Sequence, residues 1–305
     1  MLRVFLIGLV SASLWAATAL AQEPDTHDCG PCPKTLFSWN LGCENDDGSG
    51  GDEEESPLAT DRPDFTETSS TVGWGHWQLE AGYTYVHDND GGTRRVSHSF
   101  PETLLRIGIF AEWFELRLGW NYAEERSTVG HITQVLSGSE DMYLGAKLAL
   151  TEQRGWLPEM ALTPQMTVPT GGAAFTAGDV LPGINWLYSW ELCDDWSLGG
   201  STQANRAFDE NTNAYTEIAQ SLTISRSLNE WLGGYVEWYG FFPGGATDGV
   251  TGVEHYFNGG FTFPVNPNLQ FDVRAGWGLN ERSDDFFAGG GSGRVAGRAI
   301  IQGNS

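Results

Sequence analysis

The chain has 305 residues, with 40 Asp and Glu against 16 Lys and Arg, for a net charge of −24. So acidic a chain, with no basic stripe, excludes nucleic acid as a partner, because phosphate binding needs clustered Lys and Arg. Forty Gly, 13 Trp, 16 Phe and 9 Tyr beside only 4 Met point to many strands with aromatic side chains at membrane interfaces. A mean hydropathy of −0.29 does not exclude a membrane protein, since a barrel's polar inner face offsets its apolar outer one.

Residues 1–21 read as a signal peptide: Arg3 gives a positive start, Val4 to Ala17 an apolar stretch, and Ala19-Leu20-Ala21 a small-x-small cleavage site. No later segment approaches the roughly 18 apolar residues of a membrane helix. Residues 22–57 read as a flexible acidic arm, with ten Asp and Glu against Lys34 alone. Such a composition cannot bury enough apolar surface to fold by itself.

The arm holds Cys29, Cys32 and Cys43; Cys193 falls in an expected periplasmic turn. An oxidising compartment favours disulfides among the four, including an arm-to-barrel bridge to Cys193. Zinc on Cys29, Cys32, Cys43 and His27 is the alternative, but the usual second paired spacing is missing, so neither metal nor cofactor is expected.

Residues 58–75 precede the first strand and carry Asp61, Arg62, Asp64 and Glu67. Two readings stand: a plug that folds into the lumen and pairs with Arg106, Arg117, Lys147 or Arg274, or a periplasmic linker.

From residue 76 the chain alternates with period two, the pattern of a strand with one apolar face. Trp77, Leu79, Ala81, Tyr83 and Tyr85 face one way, against Gln78, Glu80, Gly82 and Thr84. Phe114–Tyr122, Ile184–Leu192 and Leu269–Leu279 repeat it, at the length of a tilted strand crossing a bilayer. Twelve strands fit: 76–87, 99–110, 113–122, 139–150, 159–169, 182–192, 196–206, 213–226, 231–242, 253–263, 269–280 and 287–300. Pro101, Pro158 and Pro164 weaken strands or mark bends. Short turns alternate with longer loops, chiefly 88–98, 123–138, 170–181 and 243–252, as in outer-membrane barrels. The fold expected is all-β: an antiparallel transmembrane up-and-down β-barrel of about 12 strands over 76–305, with both termini in the periplasm.

By parity Glu80, Glu102, Arg106, Glu115, Arg117, Asp141, Lys147, Glu237, Asp272 and Arg274 face inward. Charges of both signs there either brace a filled interior or line a path for a solute. Eight strands are filled by side chains and sixteen leave an open channel, so twelve exclude a wide pore.

Ala59-Thr-Asp-Arg-Pro-Asp-Phe-Thr-Glu67, followed by Gly75-His-Trp-Gln-Leu-Glu-Ala-Gly-Tyr-Thr-Tyr85, resembles the opening of the bacterial family called "putative MetA-pathway of phenol degradation". Pro101–Gly108, Glu115–Gly119, Met142–Lys147, Val168–Gly171 and Gln270–Leu279 are similar in the same order, so that the likeness spans 59–295. It implies an outer-membrane transporter. The arm lies outside it, and Gly303-Asn304-Ser305 lacks the terminal aromatic of many such barrels.

An outer-membrane lipid hydrolase would need a Ser with a His in reach. His87 and His255 fall on lipid-facing parity, while His98 and His131 lie near loops with Ser97 and Ser127. There is no Gly-x-Ser-x-Gly, no phosphate loop and no His-Glu-x-x-His, and Gly289–Gly293 reads as barrel geometry. The expected function is passage of small, aromatic or hydrophobic solutes by a non-enzymatic pore in contact with outer-membrane lipid. A structural or adhesion barrel with a closed lumen is the alternative, and a lipid hydrolase the minor one.

Overall fold

The computed structural model describes residues 34–37, 58–193, 195–209, 211–247 and 249–296. The signal peptide, most of the arm with Cys29, Cys32 and Cys43, and residues 297–305 lie outside them. Within the described residues there are fifteen extended segments and no helix. They are β1 (Trp77–Asp90), β2 (Thr93–Ser99), β3 (Thr103–Gly108), β4 (Phe114–Trp120), β5 (Tyr122–Val129), β6 (Ile132–Ser139), β7 (Met142–Thr151) and β8 (Glu159–Val168). Then follow β9 (Leu181–Cys193), β10 (Trp196–Phe208), β11 (Ala214–Asn229), β12 (Leu232–Gly244), β13 (Glu254–Asn266), β14 (Leu269–Gly278) and β15 (Phe286–Ala296).

Segments β2 and β3 pair with successive stretches of β1 and form one interrupted strand. Segments β4 with β5, and β6 with β7, do the same, so fifteen segments make twelve barrel strands. Every pairing is antiparallel, and β15 returns to β1 from Gln78↔Val295 to His87↔Phe286, which closes the sheet. Closure leaves no barrel edge with unpaired backbone groups, the condition for crossing lipid with strands.

The burial pattern is inverted relative to a water-soluble protein. The largest fully buried side chains are Arg106, Arg117 and Lys147, followed by Leu187, Gln78, Glu80 and Glu115. Their strand neighbours Leu79, Leu116, Leu118, Trp186, Phe271 and Val273 are exposed. Only a surface solvated by lipid makes that arrangement favourable. Outward Trp77, Trp196 and Trp231 lie at one end, and Tyr83, Trp120, Tyr122 and Trp277 toward the other. Eight residue steps from Phe114 to Tyr122, tilted as barrel strands are, span about 21 Å, close to the roughly 25 Å apolar band of such barrels. Replacing Leu118 by Arg at mid-band is expected to lower the unfolding free energy in lipid by about 2–4 kcal/mol. Leu116→Arg on the same face should behave alike.

The strand register corrects two expected loops. Residues 88–98 and 123–138 continue the sheet as hairpins, turning at Gly91-Gly92 and at Gly130-His131. Gly91 and Gly92 have φ of 58° and 85°, the left-handed pair that a two-residue hairpin turn demands. Residues 169–180, 209–213, 245–253 and 279–285 form the other connections at this end, called distal here. The proximal end, where β1 starts and β15 finishes, has turns at 109–113, 152–158, 230–231 and 267–268. Four residues of the arm are described there. Leu36 and Phe37 donate their N–H groups to the carbonyls of Ala149 and Leu150 at 2.8 and 3.0 Å, at an irregularity in the pairing of β7 with β8. A bulge frees consecutive carbonyls that a regular ladder would occupy.

Candidate functional site: a charged plug in the lumen

Residues 59–72 touch inward side chains from β1, β3, β4, β7, β8, β9, β11, β12 and β14, so the segment lies inside the ring. Its centre is Asp61. Its carboxylate is 2.6 Å from Arg117, 3.2 Å from Lys147 and 3.6 Å from Arg106, and it accepts the Thr68 N–H at 2.9 Å. The Asp61 N–H in turn donates to both oxygens of Glu80, at 3.0 and 3.1 Å. Arg106 forks onto Glu115 at 2.8 and 3.0 Å and also donates to the carbonyls of Ala59 and Ser70. Lys147 donates to the Thr68 carbonyl at 2.6 Å. Charges so deeply buried persist only because each has partners of opposite sign and further hydrogen bonds.

A second anchor lies across the lumen. Glu237 on β12 accepts the N–H groups of Phe65 and Thr66 at 2.8 and 2.7 Å, the Thr66 hydroxyl at 2.7 Å and the Asn258 amide at 2.7 Å. Phe65 stacks on Tyr239 at 4.6 Å and meets Phe241 edge-on at 5.4 Å. Between the anchors, Arg62 reaches Glu102 at 2.8 Å and Asp272 at 3.5 Å, while Arg274 donates to the Pro63 carbonyl at 2.8 Å. Ser69 bonds Glu159 and Ser189 on the far wall, at 2.6 and 2.7 Å.

Glycine makes room for this segment. A Cβ at Gly82 or Gly291 would collide with the Arg62 guanidinium, and one at Gly293 with Thr60. The Gly289–Gly293 run therefore does more than shape the barrel, because the plug's close approach needs a wall without side chains.

The inward residues read from the sequence divide. Glu80, Arg106, Glu115, Arg117, Lys147, Glu237, Asp272 and Arg274 converge on residues 59–72. Asp141 does not: it sits between β6 and β7, where it accepts the N–H groups of Gly171 and Ala177 at 2.9 and 2.8 Å and so fixes the 169–180 loop. Of the four charges before β1, Asp61, Arg62 and Glu67 meet an opposite charge, the last at 3.2 Å from Arg117. Asp64 has no cation within 4.0 Å among the described residues and faces Glu237 instead. Sequence reasoning set Gln78 on the inward face and Thr66 within the plug segment without giving either a role, and missed Ser69 and the aromatic wall of Tyr239, Tyr256 and Phe287. On β12 both faces are aromatic, so alternation there carries no signal.

Beside the plug a cavity of about 360 Å³ remains, lined by Glu67, Glu102, Arg117 and Tyr143 and, farther out, by Asn121, Glu140 and Asp141. Three strand breaks surround its outer part: Phe100–Glu102, Asn121 and Glu140-Asp141. Side chains stitch them, with Asn121 accepting from the Glu102 N–H at 3.3 Å and donating to Glu140 at 2.7 Å. Glu102 takes a left-handed φ of 41°, an uncommon conformation for a residue with a side chain. At the distal rim Asp209 joins two loops through Asn211, Asn213 and Thr247, and the Thr247 hydrogen bond first among these holds its carboxyl down to about 2.

Other sequence candidates fall apart in space. Ser97 and His98 are adjacent in β2 and point to opposite faces, His98 bonding the outward Tyr83 hydroxyl at 2.7 Å. Ser127 donates to Glu125. Cys193 ends β9 and is exposed.

The family described as "Putative MetA-pathway of phenol degradation" matches residues 60–293. The chain belongs to it. Its match begins within the plug, so the lumenal segment and the barrel form one family unit. Among solved structures, the chain is similar to the COG4313 outer membrane channel from Pseudomonas putida F1, with TM-score 0.59 and 13% identity over 75% of this chain and 98% of that one. It also matches the NanC porin, with TM-score 0.40 and 11% identity over 72% of this chain and 98% of that one. No curated protein matches it by sequence.

Proposed function

We propose that this family member is a narrow outer-membrane channel, which passes small solutes through the gap beside a resident plug. The observation that carries the reading is the 360 Å³ cavity left between the plug and β3, β4 and β7. It sits at the lower end of the range for small-molecule sites, which suits single-ring or comparably small solutes and excludes bulky ones. The printed title of the Pseudomonas putida neighbour names a channel, which favours passage over catalysis, and the family's description, which names phenol degradation, suits a small aromatic solute. The proximal end, where β1 starts, is then periplasmic, and the arm, delivered by a cleaved 1–21 signal, lies on that side.

Charge sets the expected selectivity. Glu140 and Asp141 line the outer part of the gap with no cation within 4.0 Å among the described residues, while Glu102 and Arg117 are already engaged by Arg62 and Asp61. An entrance with unneutralised carboxylates concentrates cations. In planar bilayers under a salt gradient, the reversal potential is expected to report cation preference, and Glu140→Gln with Asp141→Asn to reduce it. Anion preference would contradict this assignment of the path. Silence from both the intact protein and a plug-deleted variant would favour a structural barrel. The feature suited to that second reading is the projecting β5–β6 hairpin, whose Ile132 is 78% exposed.

A further inference from the structure

Basic residues are scarce in this chain, and those nearest the plug are consumed. Arg62, Arg106, Arg117 and Lys147 serve the plug, and Arg95 points inward to Asp88 and Asp284 at 3.1 and 3.0 Å. Arg94 and Arg126 differ. Arg94 follows the parity opposite to Arg95 and pairs across strands with Thr128, while Arg126 pairs with Val96. Both therefore stand on the outer wall, on the same face as Tyr85 and His98. Together with Val96 and Thr128, these residues line a groove of about 290 Å³. Among the described residues, Arg94 has no carboxylate within 4.0 Å, and Arg126 has only Glu124 at 3.6 Å, with both side chains of that pair near half exposed.

Height completes the picture. Tyr122 belongs to the distal aromatic belt, which marks the boundary of the hydrocarbon. Arg126 lies four steps beyond it on the same strand, about 10 Å farther out after allowing for tilt. That is headgroup depth. Two outward guanidiniums flanked by an imidazole and a hydroxyl fit a phosphate, since Arg donates in a planar fork matched to phosphate oxygens.

We propose that the groove between β1, β2 and β5 binds a phosphorylated lipid headgroup of the outer leaflet, with Arg94 and Arg126 gripping the phosphate. The inference rests on the orientation given above but not on conduction, so a closed barrel would keep the site. The occupant is a lipid because the groove opens sideways above the aromatic belt, not into the lumen.

The test uses the full chain in detergent, titrated with purified lipopolysaccharide and with its dephosphorylated form, with bound lipid read by native mass spectrometry. Intact protein should retain the phosphorylated lipid, with affinity falling as salt rises. Arg94→Gln with Arg126→Gln should weaken retention on the order of 30-fold, from about 1 kcal/mol per basic residue at an anionic surface. Glu124→Gln should not weaken it. Heat-dependent gel mobility of each variant verifies that the barrel has formed. Equal retention by intact protein and double variant, or equal retention of the two lipid forms, overturns the proposal. Displacement by millimolar inorganic phosphate alone would also overturn it, because the site would then serve a free anion.

Discussion

Removing residues 59–68 is expected to raise single-channel conductance severalfold and to admit solutes that the intact protein excludes. The expectation follows from where those residues lie. They cross the ring between the Arg106–Arg117–Lys147 wall and Glu237, and leave a gap toward Glu102 and Tyr143. A twelve-stranded barrel stripped of its plug is wider than the eight-stranded barrels that side chains fill, so the vacated lumen should hold water. Deletion also strands three buried cations beside Glu80 and Glu115, so the variant needs a folding check by heat-dependent gel mobility. A gentler variant guards the test. Glu237→Gln withdraws the charge that holds the Phe65 and Thr66 N–H groups, and it should give flickering openings in a barrel that still assembles. Conductance identical to that of the intact protein in both variants would show that the plug does not limit the path.

Lipid and lumen made the barrel legible. A strand that meets hydrocarbon on one face and water on the other must alternate, and Leu269–Leu279 does so without a break. In sequence the hairpins at 88–98 and 123–138 look like loops, because that constraint lapses beyond the hydrocarbon. Thr93-Arg-Arg-Val-Ser-His-Ser99 has no hydrocarbon-facing side to keep apolar, yet its backbone hydrogen-bonds β1 and β5 as regularly as any strand below it. The lumenal site was only partly visible for a different reason. Charges ahead of the first strand draw notice, and Asp61 and Arg62 carry ion pairs here. Backbone carbonyls of Ala59, Pro63, Thr68 and Ser70 accept several of the other bonds, and a carbonyl leaves no mark in a sequence. Asp64 shows the converse. Its charge suggested a cation, and the fold set it beside Glu237.

Substituting Asp61 by Asn is expected to cost about 3–5 kcal/mol of stability, the loss typical of a buried ion pair stripped of one partner. Asp61 is 8% exposed and its three cationic neighbours are at most 1% exposed, so water cannot replace the missing charge. Asn keeps the shape and one acceptor oxygen for the Thr68 N–H, and the loss therefore isolates the charge itself. Glu67→Gln provides the contrast: its carboxylate touches the same Arg117 but is 20% exposed at the gap, and its removal should cost no more than about 1 kcal/mol. A double-mutant cycle makes the assignment specific. With Lys147→Met added, Asp61→Asn removes one charge of each sign, and the pair should recover much of what either single change loses. Urea unfolding in lipid vesicles reads all four proteins. Strict additivity of the two single losses would mean that Asp61 and Lys147 do not act on each other, and the lumenal network would then be a set of independent contacts rather than one coupled anchor for the plug.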